Sequence, residues 1–259
     1  MKFEESEPKT LSLLTPVHCS TPLALVEQAT KSVSEIDMPV GWQIEWMIQE
    51  DGEQTNFRDY FESLDLGIRL SYDSNQRQFG AATTRTACFI RSRGGLVMGL
   101  DADDYLVSKG ITRLVEESVE HSDLDWFTGQ TSHLIDGVEV PRACDIPAGK
   151  VSPGQPMRRW VESGRMPFPT APVMLRSREL WKLGGWPALV RSEDASLIFA
   201  YTALRGGLIV DELTYVYRKW ADQTRDQPWW TNSRDLAYEH RVRWAEALLG
   251  PEPTRSSSD

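Results

Sequence analysis

The sequence predicts an α/β fold: a mostly parallel, Rossmann-like central sheet flanked by helices, followed by a smaller antiparallel, loop-rich region. Three observations carry that expectation. From residue 11 to residue 128, short apolar segments alternate with helical patterns in a βαβαβαβαβ order, for which a parallel sheet is the economical solution. Residues 96–100 form an apolar run without alternation, as a strand covered on both faces would, though so short a run also fits a buried helix. Beyond His133 hairpin signals and Pro/Gly-rich stretches replace this rhythm.

The elements follow in order. Residues 11–15 are a first apolar strand that Pro16 is expected to stop, and Ser20 or Thr21 reads as the cap of a helix with Pro22 at its first position. Residues 42–49 alternate through Trp42, Ile44, Trp46 and Ile48 as a second strand, turned by Glu50-Asp51-Gly52. A short helix over 56–64, a strand over 67–72 and a small-residue helix from Gly80 lead to a basic, glycine-rich stop at 91–95. The run 96–100 follows, then an amphipathic helix over 108–121 through Ile111, Leu114, Val115 and Val119, and a short strand over 124–128. Asp136-Gly137 marks a hairpin between 133–135 and 138–140. Residues 141–172, rich in proline, read as a functional loop with a helix over 156–163. A return of 173–175 to the sheet, helices over 177–183, 194–205 and 231–249, and strands over 208–210 and 214–217 complete the chain. The tail from 251 reads as disordered.

The 259 residues suit one large α/β domain, here 1–250, better than two small ones. A net charge of −10 argues against nucleic acid or an anionic membrane as the main ligand and leaves small molecules and metal ions open. Cys19, Cys88 and Cys144 are odd in number and widely spaced, which reads as reduced packing residues rather than a zinc site. With no secretory leader and no apolar run near the roughly 18 residues of a membrane span, the expectation is a cytoplasmic protein without an integral membrane segment. Dimerisation through the last helix and peripheral membrane attachment stay open.

The apolar run ends in Asp101, Asp103 and Asp104. In an open α/β sheet, ligands gather at the carboxyl ends of the strands. Three crowded carboxylates there call for a cation or shifted pKa values, and oxygen-only ligands favour Mg²⁺ or Mn²⁺. The plainer alternative is an Asp-rich turn in which Asp104 or Ser108 caps the next helix.

The order and spacing of several features resemble the GT-A fold nucleotide-sugar glycosyltransferases, most closely glycosyltransferase family 2. They are the opening strand ending at Pro16 and Val17, the strand end at Asp51, the helix carrying Arg85, the Asp101-Ala102-Asp103 motif and the Glu193-Asp194 segment. The resemblance spans about residues 11 to 225. It implies a donor-binding half over about 10–130 and an acceptor-binding half over about 131–250. It further implies that Pro16 and Val17 flank a nucleotide base, that Asp51 hydrogen-bonds it, and that Arg85 faces the phosphates. Asp101 and Asp103 match the DxD pair, the first near the ribose and the second on Mn²⁺ or Mg²⁺, and Asp194 matches the general base. One departure is Trp220, which stands about where the family often places a histidine for the metal or diphosphate.

The expected activity is inverting transfer of a sugar from a nucleotide-sugar donor, a UDP-sugar by family default, to a small-molecule or glycan acceptor. Glu193, Trp186, Arg218 and Trp220 are candidate substrate contacts. Ten tryptophans offer flat faces to sugar rings. Trp42, Trp46, Trp126 and Trp244 read as structural, whereas Trp160, Trp186, Trp220, Trp229 and Trp230 fall in or beside the late loops. The Arg158-Arg159 pair reads as a solvated helix face, with an anionic acceptor as the alternative. His18 is the histidine nearest the expected donor pocket. Two rivals remain: a nucleotidyltransferase, disfavoured because residues 17–22 lack a basic glycine-rich phosphate loop, and a non-catalytic binding module of the same fold.

Overall fold

A computed structural model of the chain describes residues 9–220 and 234–249. The first half builds four parallel strands and three helices: β1 (Lys9–His18), α1 (Leu23–Ser34), β2 (Trp42–Asp51), α2 (Arg58–Glu62), β3 (Arg69–Ser74), α3 (Ala81–Arg91) and β4 (Leu96–Gly99). Next come β5 (Tyr105–Leu106), α4 (Ser108–Glu120), β6 (Trp126–Ile135), β7 (Val138–Arg142), β8 (Gly149–Val151), α5 (Gln155–Ser163), β9 (Met174–Arg176), α6 (Ser177–Leu183), α7 (Glu193–Leu204), β10 (Gly207–Lys219) and a closing helix α8 (Arg234–Leu249).

One ten-stranded sheet runs through both halves in the order β3-β2-β1-β4-β9-β6-β10-β5, with β7 paired to β6 and β8 to β10. Strands β3, β2, β1 and β4 are parallel. β9 enters between β4 and β6 antiparallel to both, and β10 runs parallel to β6. The strand order reverses between β1 and β4, because the chain first builds outward to β3 and then returns through α3. That reversal leaves a crevice at the carboxyl ends of β1 and β4, where open α/β sheets bind ligands.

The sheet separates two apolar layers. On one face Leu13, Trp46, Ile48 and Met98 pack with Val26, Phe61 and Leu114 from α1, α2 and α4. On the other, Leu14, Met47 and Val97 meet Phe89, Leu180 and Leu197 from α3, α6 and α7. Adjacent β4 residues therefore serve opposite layers, which is why this strand reads as continuously apolar. In β2 the alternating Ile44, Trp46 and Ile48 all serve the first layer, and the buried Trp46 indole donates to Thr15 Oγ1 at 2.8 Å. A third cluster joins Met157, Trp160 and Phe199 to Val242 and Leu248, seating α8 on α5 and α7.

The turn into β4 depends on a buried acid. Glu45 accepts from Ser12 Oγ at 2.6 Å and from the Gly94 amide at 3.1 Å, and it pairs with Arg69. A Cβ at Gly94 would lie 2.4 Å from Ser12 Oγ and 2.7 Å from the Thr10 carbonyl oxygen, so glycine is required by close approach.

Several boundaries differ from those the sequence predicts. β1 passes through Pro16, because pairing with β4 ends at Leu14 and the missing N–H breaks no bond on that side. Neither Ser20 nor Thr21 caps α1; Pro22 holds the cap position, and Ser20 is held by His18 Nδ1 at 2.7 Å. Ser108 is the first residue of α4 and not its cap. Val119 is exposed at 48 % rather than packed. The strand expected over 124–128 starts at Trp126 and is continuous with 133–135 in β6, and 208–210 and 214–217 likewise belong to one strand, where register shifts between Ile209, Leu213 and Tyr215 interrupt a single β10. The 136–137 hairpin forms as expected. Trp229, Trp230 and the tail lie outside the described residues. No described helix is long and apolar enough to cross a membrane, and the described cysteines are free.

Candidate active site

A cleft of about 900 Å³ opens at the crevice between β1 and β4. Pro16 and Val17 reach it from the end of β1, Asp51 from the end of β2, and Arg85 from α3. Asp101, Ala102 and Asp103 arrive directly after β4, and Glu193 and Asp194 at the start of α7. Nine of the residues expected from sequence thus line one space, although they come from five separate parts of the chain.

Asp51 is committed to its own loop. Oδ1 accepts from Asn75 Nδ2 at 2.9 Å and from the Phe79 amide at 2.7 Å, while Oδ2 accepts from the Gly80 amide at 2.9 Å. A carboxylate offers about four acceptor positions. One therefore remains for a ligand, and the main task of this residue is to fix the start of α3.

The acidic corner divides into two parts. Asp104 points into the core, where it accepts from Tyr215 Oη at 2.8 Å and from the Arg218 amide at 2.7 Å. Burial, with help from Asp103 and Asp101, holds its carboxyl well above the usual range. Burial first, and then Asp104, likewise raises the Tyr215 phenol. Asp104 therefore has the structural role, although through the β10 strand and not as a helix cap. Asp101 and Asp103 remain in the cleft.

Arg85 ties the two walls together. Its Nη2 donates to Asp101 Oδ1 at 2.5 Å and its Nη1 pairs with Glu193. Burial alone would lower its pKa, but Asp101, Glu193 and Asp194 outweigh that and raise it, so the guanidinium is a permanent cation. For Glu193 burial is the largest influence and, despite the pull of Arg85, its pKa is pushed up to about 7. Asp194 is part-buried, and its Oδ2 accepts from Thr170 Oγ1 at 2.5 Å. Ser192 before this pair adopts a left-handed conformation (φ 55°), an unusual conformation for a non-glycine that aims the start of α7 at the cleft.

The other candidates fare unevenly. Trp220 lines the cleft, and its indole N–H donates to Asp103 Oδ2 at 2.7 Å. Trp186 instead borders a small neighbouring cavity of about 20 Å³ together with Arg85, Thr170 and Asp194. Arg218 turns away: its Nη2 donates to Gln28 Oε1 at 2.6 Å and its guanidinium lies 5.6 Å from the Tyr105 ring centroid. It braces α1 against β10 and does not line the cleft. Trp160 is a core residue against Phe199. His18 does line the cleft, and so do Phe79, Tyr217 and Arg241, which sequence reasoning missed because nothing local marks them.

The donor set fits a hard divalent cation. Asp101 and Asp103 offer oxygen alone, and Arg85 and Trp220 each engage a single oxygen of one carboxylate. Mg²⁺ or Mn²⁺ held by one or two carboxylates keeps its other positions for waters and phosphate oxygens. Among the described residues one further group, Glu117, Glu120 and His121, lies at the end of α4. In it the buried Glu117 already pairs with Arg113 and His121, and none of the three residues lines the cleft.

No protein-family model matches this sequence, and no curated protein sequence does. Solved structures do match. Similarity to S. aureus TarS 1–349 in complex with UDP reaches a TM-score of 0.69 at 15 % identity, covering 93 % of this chain and 65 % of that one. The complex of TarS 1–349 with UDP-GlcNAc gives 0.67 at 14 % identity, over 93 % and 71 % of the two chains. The mannosyltransferase PcManGT from Pyrobaculum calidifontis, in complex with GDP-Man and Mn²⁺, gives 0.61 at 14 % identity, over 96 % and 66 %. The chain spans 65 % of the length of the TarS chain in its UDP complex. At such identities the likeness fixes the architecture, and that architecture is the GT-A fold.

Proposed function

We propose that this chain is an inverting glycosyltransferase that moves a sugar from a nucleoside-diphosphate-sugar donor, a UDP-sugar first, to a hydroxyl of a small-molecule or glycan acceptor. The observation that carries the reading is one cleft with the Asp101/Asp103 pair on one wall and Asp194 on the other, spaced by the buried Arg85 bridge. The nucleotide sugars and the Mn²⁺ named for the similar structures support the donor class. Residues from about 10 to 130 would bind the donor and those from about 131 to 250 the acceptor.

The transfer needs a stabilised leaving group and a hydroxyl that loses its proton as it attacks. Asp194 Oδ1 takes that proton, while Thr170 holds Oδ2 and fixes the carboxylate plane. As the acceptor oxygen bonds to the anomeric carbon, the bond from that carbon to the phosphate oxygen breaks and its electron pair leaves with the diphosphate. General-base help of this kind contributes about 10² to 10⁴ in rate. A divalent cation at Asp103, with Asp101 beside it, would supply Lewis-acid stabilisation of the diphosphate worth several kcal/mol. Arg85 adds a fixed positive charge on the donor side in a water-poor wall.

Attack opposite the leaving group inverts the anomeric centre. NMR of the product tests this: inversion is expected, and retention of the donor configuration removes Asp194 from the role of base. The Trp220 bond to Asp103 gives a non-catalytic nucleotide-sugar-binding module its footing as a second reading. Slow hydrolysis of the donor separates the two, since a binding module shows none.

A further inference from the structure

Arg241 is the residue by which α8 reaches the cleft. Its guanidinium lies 5.6 Å from the centroid of the Trp160 ring, and its Nε is buried without a hydrogen-bond partner. Among the described residues it has no carboxylate within ion-pair distance. Asp194 is close enough to raise its pKa and Arg191 close enough to lower it; burial is the largest influence, and the net effect is downward. α8 packs through Val242 and Leu248 on α7, the helix whose first turn carries Asp194, so Arg241 enters the cleft from the α7 side. A part-buried guanidinium resting on an aromatic face, with its Nε–H unmet, has a desolvation cost that the Trp160 ring and Asp194 offset only in part. In a chain of net charge −10, that cation stands out inside a cleft walled by carboxylates. An oxyanion from a ligand would supply the missing partner, and the guanidinium fork suits both carboxylate and phosphate.

We propose that Arg241 selects the acceptor by binding an anionic group, a carboxylate or a phosphate, carried near the hydroxyl that attacks. This rests on the transferase reading, in which the Asp194 side is the acceptor side. The donor diphosphate already has Arg85 and the Asp101/Asp103 pair, so a second cation beyond Asp194 answers to a second anion.

Calorimetric titration tests the inference. The full chain is first saturated with UDP and Mn²⁺ to block the donor subsite, then titrated with glycerol 1-phosphate, D-glycerate and glycerol. At least one of the two anions should bind more tightly than neutral glycerol, and Arg241→Gln should weaken that anion by about 10- to 100-fold while leaving glycerol unchanged. Arg241→Lys should keep part of the phosphate affinity, and it replaces the glutamine variant if that one does not fold. Phosphate alone binding points to a phosphorylated acceptor, glycerate alone to a sugar acid. Equal binding of all three probes, or equal anion binding by native and Arg241→Gln chains, overturns the proposal. Failure of UDP to bind counts against the transferase reading instead. The anion comparison between native and variant, repeated without nucleotide, then still decides the role of Arg241.

Discussion

Replacing Glu193 by glutamine should change how stability depends on pH. Glu193 is buried against Arg85, and burial moves its pKa from 4.5 to about 7 in the folded chain. The folded state therefore binds a proton that the unfolded state has lost between those two values, so stability falls as pH rises. The favourable contribution is complete below about pH 4.5 and is lost as pH passes through about 7. At about 1.4 kcal/mol for each pH unit, the displacement amounts to about 3 kcal/mol. Glutamine keeps the shape and an acceptor for Arg85 but has no proton to lose. Urea unfolding followed by tryptophan fluorescence, run on both chains from about pH 5 to 8, isolates the effect because all other titrations cancel in the difference. The native chain should lose about 2.5 kcal/mol more than Glu193→Gln across that range, the remainder being lost already by pH 5. Parallel curves would refute the reasoning and would mean that Arg85 keeps Glu193 ionised throughout.

Tyr215→Phe should destabilise the fold by about 1–3 kcal/mol in the same assay, since it strips one of the hydrogen bonds from the buried Asp104 carboxyl and leaves the Asp101 amide without its partner. Trp220→Phe removes the indole donor from Asp103 and should tighten Mn²⁺ binding about 10-fold, the worth of one charge-assisted hydrogen bond. Electron paramagnetic resonance of free Mn²⁺ reads this directly, and weaker binding would show that the indole orients the carboxylate for the cation. Asp194→Asn should lower kcat by about 10² to 10⁴ with nucleotide affinity unchanged.

The parts of the fold that were legible in the sequence are those whose periodicity mirrors burial. Ile44, Trp46 and Ile48 alternate because β2 shows them to one layer, and β4 reads as unbroken because Leu96, Val97 and Met98 serve both. β5 and β8 were not legible, being too short to carry a period. The polar Asp211 and Glu212 fall at the register shifts of β10 and so split one strand into two apparent ones. In the site, Asp101 and Asp103 are marked by their place after the apolar run, and Asp194 only by the resemblance to the family pattern. Among the three aspartates of residues 101–104, however, only the turn closed by the Asp104 amide on the Asp101 carbonyl at 3.1 Å decides which one turns inward. Arg218, expected at the site, and Arg241, not expected there, differ for the same reason. The first sits next to a site strand but is drawn to Gln28, and the second comes from a helix that only tertiary packing against Trp160 brings to the cleft.

The central claim is that the Asp101/Asp103 corner holds a nucleoside diphosphate through a divalent cation. Thermal-shift titration with the diphosphates of uridine, thymidine, guanosine and adenosine, each with and without Mn²⁺, tests it on the native chain and on Asp103→Ala. Binding to the folded state stabilises by mass action, about 2.7 kcal/mol at a hundredfold excess over Kd. The account predicts that UDP raises the Tm only with Mn²⁺ and that Asp103→Ala abolishes the rise. No shift with any nucleotide, or an equal shift in Asp103→Ala, would contradict it.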